Sequence, residues 1–367
     1  MNEGAEPVKL LLDSLKIYSP TTRESSYARF LAETMERIGY SRVRLDRAGN
    51  VLGQAGRGKV KLLLCGHMDT VPGRLPVRKT GDSVYGRGAA DAKSPLCALL
   101  IAGSEAADSG VAVTFAGVTE EEGEGAGINE LMAGPGDWDY AVFGEPGGAN
   151  RVTVAYRGRV AVRLTIKTEG GHAGSPWAYK SAYDEFSKAL SRLRDFEASK
   201  GIPGDRFGSI SLTPTLIRAG TFHNVVPNTC EATLDVRLPP GMPSAKAISG
   251  ISQAVERSHD GVSVRVESGE PTEAYKVDSA SPLLRAFQRA IILRLKDRPG
   301  LIRKTSTGDM NTFAHRKRTD CVTYGPGISS TSHTDGEAVQ IADYLNSIEV
   351  LKEAFRQLAT LRAGSAG

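Results

Sequence analysis

Short, mostly apolar runs alternate with segments of helical spacing over the first 145 residues. Residues 42–45, 51–53, 60–65, 111–118 and 140–143 read as short apolar strands. Residues 7–18 and 24–38 repeat their apolar positions as a helix does, and Gly39 stands where a C-terminal cap would stop the second. A further helix is predicted over 95–107, with Pro95 at a first-turn position. Continuous apolar strands separated by helices imply a sheet covered on both faces, the α/β class. In such sheets ligands gather at the C-terminal ends of the strands.

From about residue 156 the pattern changes. RVAVRLTIKT alternates with period two, as a half-exposed strand does. A helix is predicted at 181–197, strands at 208–218 and 230–238, a helix at 244–257 and a strand at 262–267. The order β-α-β-β-α-β is that of a small ferredoxin-like α+β sandwich. After Tyr275 the first style returns, with a helix at 281–295, the apolar CVTYG strand at 321–325 and a last helix over 337–362. The reading is an α/β domain, a mixed sheet covered by helices, split into 1–155 and 274–367 by an inserted domain at 156–273.

Composition narrows the class without naming a function. The chain has 367 residues, 40% hydrophobic, enough for two cores. A formal charge of +4 does not by itself call for nucleic acid. The cations scattered through Arg294–Arg318 read as a solvated face. Cys65, Cys97, Cys230 and Cys321 lie far apart with no CxxC, which reads as reduced, buried thiols of a cytoplasmic protein. The opening MNEGAEPVKLLLDSL lacks the pattern of a signal peptide, and no apolar run is long enough to span a membrane.

The chemistry sits at the strand ends. LLLCGHMDTVPG runs a buried strand into His67 and Asp69, one residue apart. GRGAADAKSP puts Asp91 in a glycine-rich loop, VAVTFAGVTEEEGEG ends in Glu120, Glu121 and Glu122, YAVFGEPGG ends in Glu145, and SSTSHTDGE carries His333. Each alone is weak. An EEE run is usually a solvated loop, and GRGAAD lacks the GK[ST] ending of a phosphate loop. GEGAG reads as a flexible turn. His223, His259 and His315 have ordinary surface readings. Carboxylates converging in one cleft repel, however, and metal ions hold them together. Imidazole and carboxylate without cysteine suit zinc, cobalt or manganese at a hydrolytic centre.

The ordered set HMD, GRGAADAK, EEEG, GEP, GGHAGSP, HNVVPN and SHTDGE resembles the dinuclear-zinc amidohydrolases of metallopeptidase family 20, over essentially the whole chain. That family includes acetylornithine deacetylase, succinyl-diaminopimelate desuccinylase and the glutamate carboxypeptidases. Within it, the compact HMDTVPGRLPVR followed closely by YGRGAADAK looks most like the lysine/ornithine hydrolases that act on an amino-group carrier protein. ADAKSP departs from the family in lacking a glycine after the lysine, and three consecutive glutamates stand in the EEE run.

The resemblance implies two divalent ions per subunit, Zn²⁺ or else Co²⁺ or Mn²⁺. His67 and Glu145 would hold one, Glu122 and His333 the other, and Asp91 would bridge them, with a cis Asp91–Ala92 bond. Asp69 would accept the second ring N–H of His67. Glu121 would be the general base, placed by the order base, ligand, glycine. His172 of GGHAGSP would act in the neighbouring subunit's site, which implies a homodimer formed through the inserted domain. Asn224 and Arg237 match positions linked to substrate carboxylate or oxyanion contacts. The small-residue stretch TSTGDMN, around Thr307–Asn311, reads as a substrate-lining loop in which Asp309 meets a distal ammonium group or caps the next helix.

The function implied is release of lysine or ornithine from the C-terminal glutamate of a small acidic carrier protein, the last step of lysine or arginine biosynthesis. The alternatives are an N-acyl amino acid deacylase with a free small substrate, such as acetylornithine deacetylase or succinyl-diaminopimelate desuccinylase, and a non-catalytic amino-acid or peptide binder. The binder would be expected to lose the base or a ligand, and none is lost. The mild positive charge would attract an acidic carrier. Neither nucleic acid nor a membrane is an expected partner.

Overall fold

The computed structural model describes residues 4–256 and 261–364. The chain divides into two compact units. One takes the described residues up to Val154, Val277–Ile302 and those from Gly308 on; the other takes Ala155–Lys276 with Arg303–Thr307. The return of 303–307 to the second unit has no counterpart in the sequence pattern.

In the first unit a mixed sheet runs in the order Ser41–Leu45, Val51–Ala55, Val111–Val118, Val60–His67, Tyr140–Gly144, Asp320–Tyr324. Its centre is parallel: Val60–His67 pairs in parallel with Val111–Val118 and with Tyr140–Gly144, which pairs in parallel with Asp320–Tyr324. Leu62, Leu63, Leu64 and Cys65 are fully buried, as strands covered on both faces must be. The expected α/β class is what the chain forms.

Register decides where the chemistry goes. His67 lies opposite Val118, and Cys65 opposite Phe143. The strands carrying His67, Glu120–Glu122 and Glu145 therefore all leave the sheet at one edge.

Helix bounds shift by a few residues from those expected, most at two places. The helix expected at 95–107 is Lys93–Ser104, so Pro95 is its third residue. The last helix begins at Ile341, because Ala338–Gln340 pairs with Ser83–Tyr85 in a small antiparallel sheet completed by Arg78–Thr80. The GEGAG turn leads straight into an unexpected helix, Ala126–Ala133. Among the described residues no helix is long and apolar enough to cross a membrane. All four cysteines are buried, and none forms a disulfide.

The second unit holds an antiparallel sheet in the order Ser211–Ala219, Thr229–Leu238, Gly158–Lys167, Ser263–Ser268. Helices Ala182–Ser199 and Ser244–Val255 complete the β-α-β-β-α-β order. Gly158–Lys167 alternates buried and open positions. Its buried face, Val160, Val162, Leu164 and Ile166, joins Phe186, Leu193 and Ile251 in one apolar core. His259 lies outside the described residues.

Candidate metal centre

Five side chains from four strand-end loops and one helix-preceding loop meet in the first unit. His67, Asp91 and Glu145 form one group and Asp91, Glu122 and His333 another, each with ligand atoms within 4.8 Å of one another. Asp91 belongs to both. His67 Nε2 lies 3.2 Å from Asp91 Oδ1 and 3.7 Å from Glu145 Oε1. His333 Nε2 lies 2.6 Å from Glu122 Oε1 and 3.5 Å from Asp91 Oδ2. Two imidazoles and three carboxylates sharing one member fit a pair of divalent ions of the zinc, cobalt or manganese kind. The Asp91–Ala92 peptide bond is cis.

The proton on His67 can be placed. Nδ1 lies 2.9 Å from the Asp69 carbonyl oxygen, which can only accept, so Nδ1 carries a hydrogen and Nε2 faces the carboxylates. The Asp69 carboxylate faces the same nitrogen, with Oδ1 at 3.4 Å. It meets other donors as well. Oδ1 accepts the Glu121 amide at 3.1 Å; Oδ2 accepts the Glu122 amide at 3.1 Å and the Thr21 hydroxyl at 2.9 Å. The preceding amide, Glu120, donates to Glu24 Oε1 at 3.2 Å. Three successive amides of the glutamate run are thus tied to carboxylates from elsewhere, with Glu120 in the left-handed region at φ 58°.

These carboxylates crowd one another. Burial pushes Glu121 well above the usual carboxylate range; His67 opposes, and Glu145, Asp309 and Glu122 add to the rise. Burial also raises Glu122. Burial disfavours the charged form of His67, yet Asp69, Asp91, Glu121 and Glu145 outweigh it and raise the ring well above its ordinary value. Asp69 goes the other way: burial opposes, but His67, Thr21 and the Glu122 amide hold it low.

Asp309 is brought into this field. Burial first, then Glu145 and Asp69, push its carboxyl up to about 7 against the opposing charge of His67. It does not cap its helix. The cap residue is Gly308, whose amide donates to Asn311 Oδ1 at 3.2 Å, and Asp309–Lys317 is helical, so the expected loop is a helix from Asp309 on.

His172, Asn224 and Arg237 belong to the second unit. His172 pairs with Val225, and the Ala173 amide donates to the Asn224 carbonyl at 2.9 Å, so the first two are neighbours. Both are exposed. The Arg237 fork is engaged within the chain: Nε donates to Asp235 Oδ1 at 2.6 Å. A substrate carboxylate there would compete with Asp235.

Sequence reasoning missed Arg87 and Glu337. Glu337 is almost wholly buried, four residues beyond His333. Its Oε1 accepts the amides of Gly88, Ala90 and Asp91 at 3.0, 3.1 and 3.0 Å. Its Oε2 meets Arg87 Nη1 at 2.7 Å, and Nη1 also donates to the Thr334 carbonyl at 3.2 Å. One buried ion pair thereby joins the Asp91 loop to the His333 loop. The only sequence signal was the glutamate closing SHTDGE. Replacing Glu337 with Ala would strand a buried guanidinium and three amides. It is expected to cost about 3–5 kcal/mol of stability and to lower metal content. Chemical unfolding and elemental analysis check this; wild-type stability with two ions per chain would rule the clamp out.

Known proteins resemble this chain over most of its length. The pattern of peptidase family M20/M25/M40 matches residues 63–357. Proteins named LysW-lysine/LysW-ornithine hydrolase from Sulfurisphaera tokodaii and Saccharolobus solfataricus are 30% and 29% identical, covering 94% and 95% of this chain and 95% of each of theirs. A Pyrobaculum aerophilum protein bearing that name with a provisional mark is 36% identical over 96% of this chain and 98% of its own. Among solved structures, aminopeptidase PepT from Bacillus cereus superposes with a TM-score of 0.84 at 18% identity, covering 97% of this chain and 99% of that one. By the extent of that family match, the chain belongs to peptidase family M20/M25/M40.

Proposed function

We propose that this protein is a dinuclear metal-dependent amide hydrolase that frees lysine or ornithine from the C-terminal glutamate of a LysW-type carrier protein. The observation that carries the chemistry is the pair of ligand groups sharing Asp91, with the half-buried Glu121 beside them. What carries the substrate is the name shared by relatives 28–36% identical over nearly the whole chain.

His67 and Glu145 would hold one ion, Glu122 and His333 the other, with Asp91 between. Two divalent ions, Zn²⁺ by the resemblance, would polarise the amide carbonyl and lower the pKa of water. Glu121 would take the water proton and hand it to the leaving amine. Asp69 holds the Glu121 and Glu122 amides and so fixes where both side chains point. Asp309 would face the distal ammonium group of the leaving amino acid, a cation matched to a carboxyl poised among negative neighbours.

Roles for His172, Asn224 and Arg237 at an oxyanion or substrate carboxylate rest on the resemblance. So does a homodimer through the 156–273 region, with His172 serving the partner's site. The edge strand Ser211–Ala219 exposes Leu216 and Ile217, with Phe222 close behind, a surface suited to a second copy. The proposed setting is cytoplasmic lysine or arginine biosynthesis.

Glu121→Gln is expected to keep its metal while turnover falls ~10²–10⁴-fold. Near-normal turnover would move the base to another residue. On substrates, the aminoacylated carrier should be cleaved with higher catalytic efficiency than N-acetylornithine or N-succinyl-diaminopimelate. The reverse order at every salt concentration would replace the carrier reading with the free-substrate one. For the dimer, mixing inactive His172→Ala with inactive Glu121→Gln chains should restore activity; verified mixed dimers that stay inactive would refute the shared site.

A further inference from the structure

The compact segment between the His67 strand and the Asp91 loop has no part in the chemistry above. Residues 70–87 carry Arg74, Arg78, Lys79 and Arg87 against one acid, Asp82. Arg87 is taken up by Glu337. Arg74, Arg78 and Lys79 are exposed, and among the described residues no carboxylate lies within ion-pair distance of them. Exposed arginines usually sample many rotamers, and ordering them on binding costs affinity. Here two are already ordered by aromatic rings. The Arg74 guanidinium sits 5.3 Å from the Tyr18 ring centre, and that of Arg78 4.9 Å from Tyr85, its cross-strand partner.

The backbone beneath them is fixed as well. Gly73 donates its amide to the Tyr18 hydroxyl at 3.1 Å and accepts Arg87 Nε on its carbonyl at 3.0 Å. Its φ of 110° is one that a side chain would resist. Arg87 thus anchors this segment to the same ion pair that holds the Asp91 and His333 loops. Arg78–Thr80 is a wholly exposed strand at the outer edge of the small sheet. Behind Arg74 lies a cavity of about 320 Å³ whose lining includes Lys16, Arg74 and Lys93 and no acid. Thr70, buried in that lining, has a side-chain hydroxyl with no hydrogen-bond partner. Lys16 is paired with Asp13 and Lys93 donates to the Ser14 and Ile17 carbonyls, so the open charges are the exposed ones, Arg74, Arg78 and Lys79, which suit carboxylates brought by a macromolecule.

We propose that Arg74, Arg78 and Lys79 form the docking surface for an acidic protein partner that delivers the scissile amide to the metal centre. The inference rests on the carrier-protein reading and assigns it a surface. Charges of this kind act through long-range attraction and weaken with salt, whereas the chemistry at the buried carboxylates does not.

The test compares the metal-loaded wild type with two triple variants, Arg74→Gln/Arg78→Gln/Lys79→Gln and Arg74→Glu/Arg78→Glu/Lys79→Glu. Each is assayed on the aminoacylated acidic carrier and on a minimal glutamyl-lysine bearing the same amide. At low ionic strength, KM for the carrier is expected to rise at least threefold on neutralisation and tenfold or more on reversal. The kcat on the carrier and kcat/KM on the minimal compound should stay within twofold. The carrier KM of the wild type should rise with salt and that of the neutral variant should not. Equal loss on both compounds, or a carrier KM within twofold of wild type in the reversed variant, overturns the docking surface while the hydrolase reading stands. A wild type that ignores the carrier yet cleaves free acyl amino acids overturns both.

Discussion

One carboxylate has to face two ways. Asp91 is the member common to both ligand groups, and a side chain asked to aim each oxygen at a different ion tolerates little movement of its backbone. The fold answers with fixed hydrogen bonds rather than bulk. The amides of Gly88, Ala90 and Asp91 converge on one buried oxygen of Glu337, and Lys93 donates its amide to the Gly88 carbonyl at 2.9 Å. Because Glu337 follows His333 by four residues, the same carboxylate ties the bridging ligand to a ligand of the second group. A buried ion pair of this sort adds little net stability, but it specifies a geometry, and geometry is what a shared ligand requires.

The same device is used at the glutamate run. Carboxylates of Glu24 and Asp69 hold three consecutive amides, so a chain direction unfavourable for a side-chain-bearing residue persists at Glu120. These negative groups lie beside Glu121, Glu122 and Asp309, all of which burial pushes upward. Concentrating so much negative charge is unfavourable on its own terms, and only His67 and His333 among the ligands offer relief. Bound cations would remove most of the repulsion. The cost of assembling the cluster and the affinity of the site for metal are therefore two views of one electrostatic arrangement.

Much of this was legible in the sequence, for a definite reason. Buried strands of a parallel sheet are largely apolar runs, so a histidine or glutamate ending such a run stands out, and His67, Glu145 and the Glu120–Glu122 run were picked out that way; Glu122 was singled out within the run by the resemblance. The alternating second unit was equally plain because a one-sided sheet has period two. What could not be read were contacts made to backbone amides. Glu24, Asp69 and Glu337 all act on N–H groups, and no residue pattern records which carboxylate an amide will meet. The glycine-rich GRGAAD stretch makes the point. Its spacing excludes a phosphate loop, yet its amides do surround an anion, the chain's own Glu337. Short elements were missed because their hydrogen bonds are tertiary: Ala338–Gln340 is a strand only because Ser83–Tyr85 is beside it.

The metal centre cannot by itself choose a substrate. Solved structures that superpose closely with this chain include an aminopeptidase and a carboxypeptidase of low sequence identity. A shared fold leaves reaction partners to the loops around the site. In this chain the segment after Asp69 is short, cationic and pinned at Gly73 to the ion pair that orders the ligands. A longer, looser loop would have to be ordered on each encounter, and the entropy of doing so would be taken from binding. Stacking Arg74 and Arg78 on tyrosines sets most of that cost within folding. Attraction over many ångströms is of small use to a free amino-acid derivative, which carries one or two charges and enters by diffusion. It helps most when the partner is a protein with many like charges, whose orientation must be set before one amide reaches the metals.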